Sequence, residues 1–302
     1  MNVKEVKDIF SREENDMAFL IGNGINLYYE KENISWNNLL LDLWGQHSSN
    51  AQSSIPDGIS FTEFFDALDI QNTHQDNFSS VLQRDVQQRM IQWSSQSSKN
   101  LILEKIKAID APILTTNFDD LIPKAMGLEF KRMENTSFTD YYPWSCYYSD
   151  KDLADPTKGF GVWYPNGMLK YHRSIKLGLS QYMGNVERAR KIIHKQHEDI
   201  KFADENQKSW LGYKTWLHIL FNKSIFIVGL SLDQTEVFIR WLLIERAKYF
   251  RSFPDRRQKG WFVMKRGENP ETSEGKKFFL KSVGFEIIEL DDYPEIYEGI
   301  WR

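Results

Sequence analysis

The sequence holds a single cysteine, Cys146. One thiol excludes an internal disulfide, and it excludes structural zinc sites built on roughly two to four cysteine ligands. No motif surrounds Cys146, so it is expected to be a spectator. Positive charge is not in excess either. The formal net charge of -4 removes any global attraction to nucleic acid or an anionic membrane, and direct nucleic-acid binding is not indicated. Long apolar runs are missing: none reaches the roughly 18–20 residues of a membrane span. Met1–Asp16 is charged and lacks the apolar core of a signal peptide. The expectation is a cytoplasmic protein with no membrane partner.

What is present is an ordinary globular balance, 41% hydrophobic against 26% charged, which is enough apolar material for a core over 1–302 as a single domain. Five short apolar runs predict strands: Met17–Ile21, Ala111–Leu114, Ser224–Val228, Gly260–Met264 and Phe285–Leu290. The third is almost continuously apolar and rich in β-branched residues, as a strand buried on both faces requires. Helical stretches separate them: Trp36–Trp44, Phe61–Leu68, Phe78–Ser94, Lys99–Ala108, Asn185–Ala203 and Thr235–Phe250. Alternating strands and helices predict an α/β fold of Rossmann-like type, a mostly parallel sheet with helices on both faces.

The spacing between strands is uneven. About 90 residues separate the first two, where one crossover needs only a few tens. Two insertions follow from this. The first, 35–100, is expected to be a helical subdomain. The second, 127–166, is aromatic-rich with little periodicity and is expected to be ordered loop, with one more strand supplied by Gly167–Leu179. Tyr141, Tyr142, Trp144, Tyr147, Tyr148, Trp163 and Tyr164 are dense enough there to predict either a subunit interface or a lid over a pocket.

Four places carry chemistry. The first strand runs into Gly22-Asn23-Gly24-Ile25-Asn26, and glycines at a strand end let the backbone approach a pyrophosphate. The second strand ends in Thr115-Thr116-Asn117-Phe118-Asp119, where open α/β sheets place ligands. His172 stands close to Ser174 and Arg173, beside the expected extra strand. The third apolar strand ends in Gly229-Leu230-Ser231-Leu232-Asp233, which suits ribose hydroxyls or phosphate and equally a turn with a helix cap. His194 and His197 could share a helix face, but no carboxylate constellation accompanies them and no metal is expected.

In that order, and with Ser35-Trp36-Asn37-Asn38-Leu39-Leu40 after the glycine turn, the motifs resemble the sirtuin-like family. They look closest to the bacterial branch found in antiphage NAD-depleting systems. The resemblance spans roughly Phe19 to Arg240. It implies that Gly22, Asn23, Gly24 and Asn26 form the phosphate loop and that Thr115 and Thr116 accompany it. It implies that Asn117 and Asp119 lie against the nicotinamide ribose, that His172 is the catalytic histidine, and that Gly229, Ser231 and Asp233 close on the nucleotide. Asn23 stands where the family has alanine, Asn26 where it has serine, and Arg173 where a glycine follows the histidine. The four-cysteine zinc ribbon of sirtuin deacylases has no counterpart.

The expected activity is therefore NAD hydrolysis in antiviral defence. NAD is the substrate and no metal is needed. Asn117 orients the reacting groups, Asp119 fixes Asn117 or the ribose, and His172 serves as general base. ADP-ribosyl transfer and a catalytically silent nucleotide-binding subunit are the alternatives, the latter favoured by Asn23 and Arg173. Since an unrestrained NADase would harm its host, a homo-oligomer or a separate sensor or activator protein is the expected partner.

Overall fold

Strand β1 (Met17–Ile21) is buried at every position because it has two covered faces. Met17, Phe19 and Ile21 point into one apolar cluster, and Ala18 and Leu20 into the other. The same alternation splits β6 (Ser224–Val228), where Phe226 and Val228 face one cluster and Ile225 and Ile227 the other. A strand buried on both faces needs no polar alternation, and this is why both runs are apolar but for Ser224 at the start of β6. The computed structural model describes residues 1–29, 35–50, 52–72, 77–93, 101–133, 138–194, 210–268 and 270–302.

The fold is α/β. One sheet has eight strands in the order β3-β4-β5-β2-β1-β6-β7-β8. Here β2 is Ile113–Thr115, β3 Glu129–Arg132, β4 Cys146–Ser149, β5 Val162–Trp163, β7 Gly260–Lys265 and β8 Glu286–Leu290. From β5 to β8 all neighbours pair in parallel, whereas β3 and β4 pair antiparallel at one edge. Phe19 is in register with Ile113 on one side and Phe226 on the other, so β1 sits centrally between the strand that follows it and a strand far along the chain. That is a topological switch point, and the crevice it opens lies at the C-terminal strand ends.

Helices α1 (Val3–Glu13) and α2 (Gly24–Tyr29) flank β1, the first insertion holds α3 (Trp36–His47), α4 (Phe61–Gln71) and α5 (Phe78–Trp93), and α6 (Leu101–Ala108), α7 (Leu121–Met126) and α11 (Pro270–Ser282) lie outside it. Ser35 and Ser60 cap α3 and α4, each side chain accepting a backbone N–H of its first turn. Leu43, Phe65, Leu82 and Val86 form a separate core that also takes in Phe118, Leu169, Ile175 and Leu177. This packing anchors two site loops to the helices. Ser94, residues 99–100, the helix expected over 195–203 and His197 lie outside the described residues. The helix begun there is α8 (Leu179–Ile193), which starts earlier than its periodicity suggests.

The second insertion is not a loop. It carries β3, β4 and β5, and the extra parallel strand is Val162–Trp163 rather than Gly167–Leu179. Residues 167–178 instead form a loop with a 3-10 turn at His172–Ser174. Four of the seven aromatic residues expected to form an interface or a lid pack into the protein's own core. Trp144, Tyr147, Trp163 and Tyr164 are buried, and Tyr147 stacks on Trp163 with centroids 4.6 Å apart. Tyr141 is exposed, and the Arg173 guanidinium lies 3.8 Å from its ring centroid. Cys146 is buried too, and burial pushes its thiol up to about 12, leaving no reactive thiolate.

Helix α9 (Trp216–Asn222) is buried at six consecutive positions, His218 among them. Burial drives the His218 imidazole from 6.5 down to about 4, against the pull of Asp155 at 3.8 Å. Its folded pKa lies below its unfolded one, so the unfolded chain takes up a proton that the fold refuses. Stability from this group is therefore full above about pH 6.5 and is lost as pH falls toward about 4, by about 3 kcal/mol. Urea melts at pH 7, 5.5 and 4 check this. His218→Gln is expected to flatten the loss.

Candidate active site

The three strand-end motifs converge because β2, β1 and β6 are adjacent and parallel, so their C-terminal ends open on one side. A cavity of about 680 Å³ lies there. Asn23 and Gly24 line it after β1, Thr116 and Asn117 after β2, and Gly229, Ser231 and Asp233 after β6. Trp36 and Phe61 of the helical insertion form another part of the wall, and Tyr293 and Tyr297 of α12 (Tyr293–Tyr297) another.

Four expected site residues stand behind that wall. Gly22 donates its N–H to the Val228 carbonyl at 3.1 Å, and a Cβ there would lie 2.7 Å from Leu230 Cα. The β1 and β6 turns touch backbone to backbone, which only glycine permits. Thr115 donates its hydroxyl to the Ile21 carbonyl at 3.1 Å and accepts the Asn117 N–H at 3.2 Å, setting the course of the chain into the cavity. Asn26 donates to Asn23 Oδ1 at 3.1 Å and to Asp119 Oδ2 at 3.2 Å, which ties the β1 turn to the β2 turn. Asp119 also accepts the Leu121 N–H at 3.1 Å. Burial lifts its carboxyl to about 6.

His172 is not brought to the cavity wall. Its turn packs on α5, and its Nε2 lies 3.5 Å from Ser80 Oγ. Burial and the nearby Arg84 hold its imidazole below the usual histidine range, with Asp140 opposing. Arg173 points away as well, paired with Asp140 at 3.4 Å.

The SIR2-like domain model matches residues 111–288, more than half of the chain. The chain belongs to the SIR2-like family. No curated protein matches it. Members of the family are generally NAD-dependent enzymes. The match begins just before β2, so β1 and the glycine turn fall outside it. In the sheet, β1 stands between β2 and β6, two strands that the match covers.

Sequence reasoning missed three polar groups of this SIR2-like cavity. Asn166, just past β5, is 2% exposed and lines the wall beside the strand that carries Asn117. Among the described residues Asn117 Nδ2 and Asn166 Oδ1 are both buried without a partner, which leaves hydrogen-bonding capacity unused on both amides. Lys176 also lines the cavity, and burial brings its ammonium down to about 8, with Asp140 opposing. Glu236 lines it at the start of α10 (Val237–Ser252), where burial and then Asp233 raise its carboxyl to about 7. Signals for two of them were present. Asn166-Gly167 is a turn pair after an apolar pair of residues, and Lys176 interrupts the apolar stretch Ile175–Leu179.

Among the described residues, no group of three or more His, Cys, Asp or Glu side chains is placed to hold a metal ion, and no helix is long and apolar enough to cross a membrane.

Proposed function

We propose that the chain is an NAD glycohydrolase, releasing nicotinamide and ADP-ribose, and that it depletes NAD in antiphage defence. The observation that carries this reading is Asn117. It stands at a strand end over the crevice of a SIR2-like sheet, on the cavity wall, with an amide that the protein leaves incompletely paired. A positioned amide is suited to hold the nicotinamide carboxamide or a water against the anomeric carbon as positive charge grows there. Asn23, Gly24 and Thr116 would take the pyrophosphate, and Gly229, Ser231 and Asp233 the sugar side of the nucleotide. Gly22, Thr115, Asn26 and Asp119 position these residues from behind.

The two departures that favoured a silent binding subunit have structural outlets. Asn23 is held by Asn26 at 3.1 Å, and Arg173 is occupied by Asp140 and Tyr141. Arg173 stays off the cavity wall, and Asn23 stands on it with its amide oxygen held by Asn26. The test is incubation with NAD, following nicotinamide release by chromatography, with and without the proteins encoded by neighbouring genes. Release is expected under at least one of these conditions. NAD binding by calorimetry with no release under any of them would favour the silent subunit, and ADP-ribose appearing on protein would favour transfer. Restraint of the activity is assigned to a second copy or a sensor protein. Light scattering across working concentrations, with each neighbouring protein added, checks that assignment.

A further inference from the structure

The loop after β5 is closed at its neck and points its tip elsewhere. The Lys176 N–H donates to the Asn166 carbonyl at 3.2 Å, joining the two ends at the cavity. Inside the loop, Ser174 Oγ donates to Tyr171 O at 2.6 Å and accepts the Met168 N–H at 2.9 Å. Gly167, at φ +108°, lies so close to this turn that a Cβ would fall 2.9 Å from Ile175 N. The Leu169 N–H donates to the Phe118 carbonyl at 2.8 Å, which fixes the loop to the residue after Asn117. His172 occupies the tip, on α5. Asn166 and Lys176 occupy the neck, on the cavity.

Lys176 is an unusual occupant. It is 5% exposed. Among the described residues its ammonium reaches a single long hydrogen bond, to the Arg173 carbonyl at 3.4 Å, and stands 5.1 Å from the Tyr142 ring centroid. Asp140 acts on it from a distance and is itself paired with Arg173. A cation so poorly compensated in a fold gains from giving up its proton.

We propose that Lys176, seated beside Asn166, is the proton acceptor of this cavity, the part that the sequence alone suggested for His172. This rests on the hydrolase reading. Neutral Nζ takes a proton from water, and the water oxygen bonds to the anomeric carbon of the nicotinamide ribose. The carbon–nitrogen bond breaks, its electron pair goes to the pyridine nitrogen, and the ring charge is neutralised. Lys176 then returns its proton to solvent. NAD and water thus yield nicotinamide, ADP-ribose and one proton. An uncharged amine also suits the ground state, because an ammonium there would repel the cationic ring.

Asp140 acts on this position from a distance, Tyr142 and Arg173 stand against the ammonium, and the wall of the same cavity carries Tyr182, the acids Asp233, Glu236 and Glu268, and the lysines Lys265 and Lys276. Burial brings Lys176 down to about 8, and Glu236 sits at about 7. Two titrations therefore fall close together, and variants must separate them.

The experiment follows nicotinamide release from pH 6 to 9.5. The wild-type rate is expected to rise about tenfold per pH unit and level off above about pH 8. Lys176→Arg keeps a cation and much of the packing but cannot release its proton, so it should lose at least about a hundredfold. Lys176→Met should lose as much and show no such rise. Glu236→Gln and His172→Ala should both keep the rise. If His172→Ala abolished the rise, or Lys176→Arg kept it, the proposal would be overturned.

A second readout does not need turnover. Calorimetry of NAD binding at pH 7.5, run under a condition in which no nicotinamide forms and in two buffers of different ionisation enthalpy, should show proton release in wild type and in His172→Ala, and none in Lys176→Met. If no condition yields nicotinamide, the hydrolase reading falls. The calorimetry still decides the place of Lys176: no release, or equal release in Lys176→Met, would overturn it.

Discussion

Asn117→Ala is expected to lower nicotinamide release by at least about a hundredfold while leaving the melting temperature close to wild type. The asymmetry follows from where the side chain spends its bonds. The backbone N–H of Asn117 is held by Thr115 Oγ1 at 3.2 Å, and that contact survives the substitution. The side-chain Nδ2 is buried with no partner among the described residues, so removing it also removes an unpaired donor. Alanine thus costs the fold little and costs the proposed chemistry its positioned amide. Asn117→Asp keeps the volume and replaces the donor with an acceptor, so it should fail in the same way if donation is what matters. The measurement is turnover beside a thermal melt. An Asn117→Ala protein with full turnover would remove Asn117 from the reaction, and one that unfolds would make its role structural.

Gly22→Ala should act on the fold itself, lowering stability by about 3 kcal/mol and abolishing NAD binding with it. The new Cβ would meet Leu230 Cα at 2.7 Å and the Gly229 carbonyl carbon at 2.9 Å. Both are backbone atoms, so no side chain can rotate to make room. The β1 and β6 turns must separate. This strains the bond from Gly22 N–H to Val228 O at 3.1 Å and the one from Gly24 N–H to Gly229 O at 2.7 Å. Those bonds hold the floor of the cavity. Gly45→Ala is the control. Gly45 lies within α3 with nothing within 4 Å of an added Cβ, so alanine there should stabilise by about 0.5–1 kcal/mol. Urea melts of the two variants should move in opposite directions. A Gly22→Ala protein as stable as wild type would show that the two turns can part without cost.

Four of the five apolar runs were legible because β1, β2, β6 and β7 are buried strands of a sheet covered on both sides, which need little but apolar residues, whereas β8 at the sheet edge alternates, with Glu286 exposed and Ile288 and Leu290 buried. The strands β3, β4 and β5 gave no comparable signal. They span only two to four residues each, and β3 is partly exposed at the sheet edge. Gly167–Leu179 was apolar enough to suggest a strand, yet Gly167 at a positive φ and the Ser174 hydroxyl bend it into a closed loop. No pattern of period two records those bonds.

Within the site, the sequence by itself determined which strand ends carry polar residues. A glycine turn, an Asn-Phe-Asp turn and a Gly-x-Ser turn are local features, and parallel strands put their ends on one side. Only the tertiary structure decided which side chains face the cavity. Asp119 and Asn26 are neighbours of the wall in sequence but bond to each other behind it. His172, Asn166 and Lys176 share one short loop, and composition gives no reason to prefer either amide or amine over imidazole. The bond between Lys176 N–H and the Asn166 carbonyl closes that loop and carries the histidine to its tip, away from the crevice. Proximity of the loop ends depends on a contact between residues ten positions apart, and that contact exists only once the chain is folded against α5 and the β2 turn.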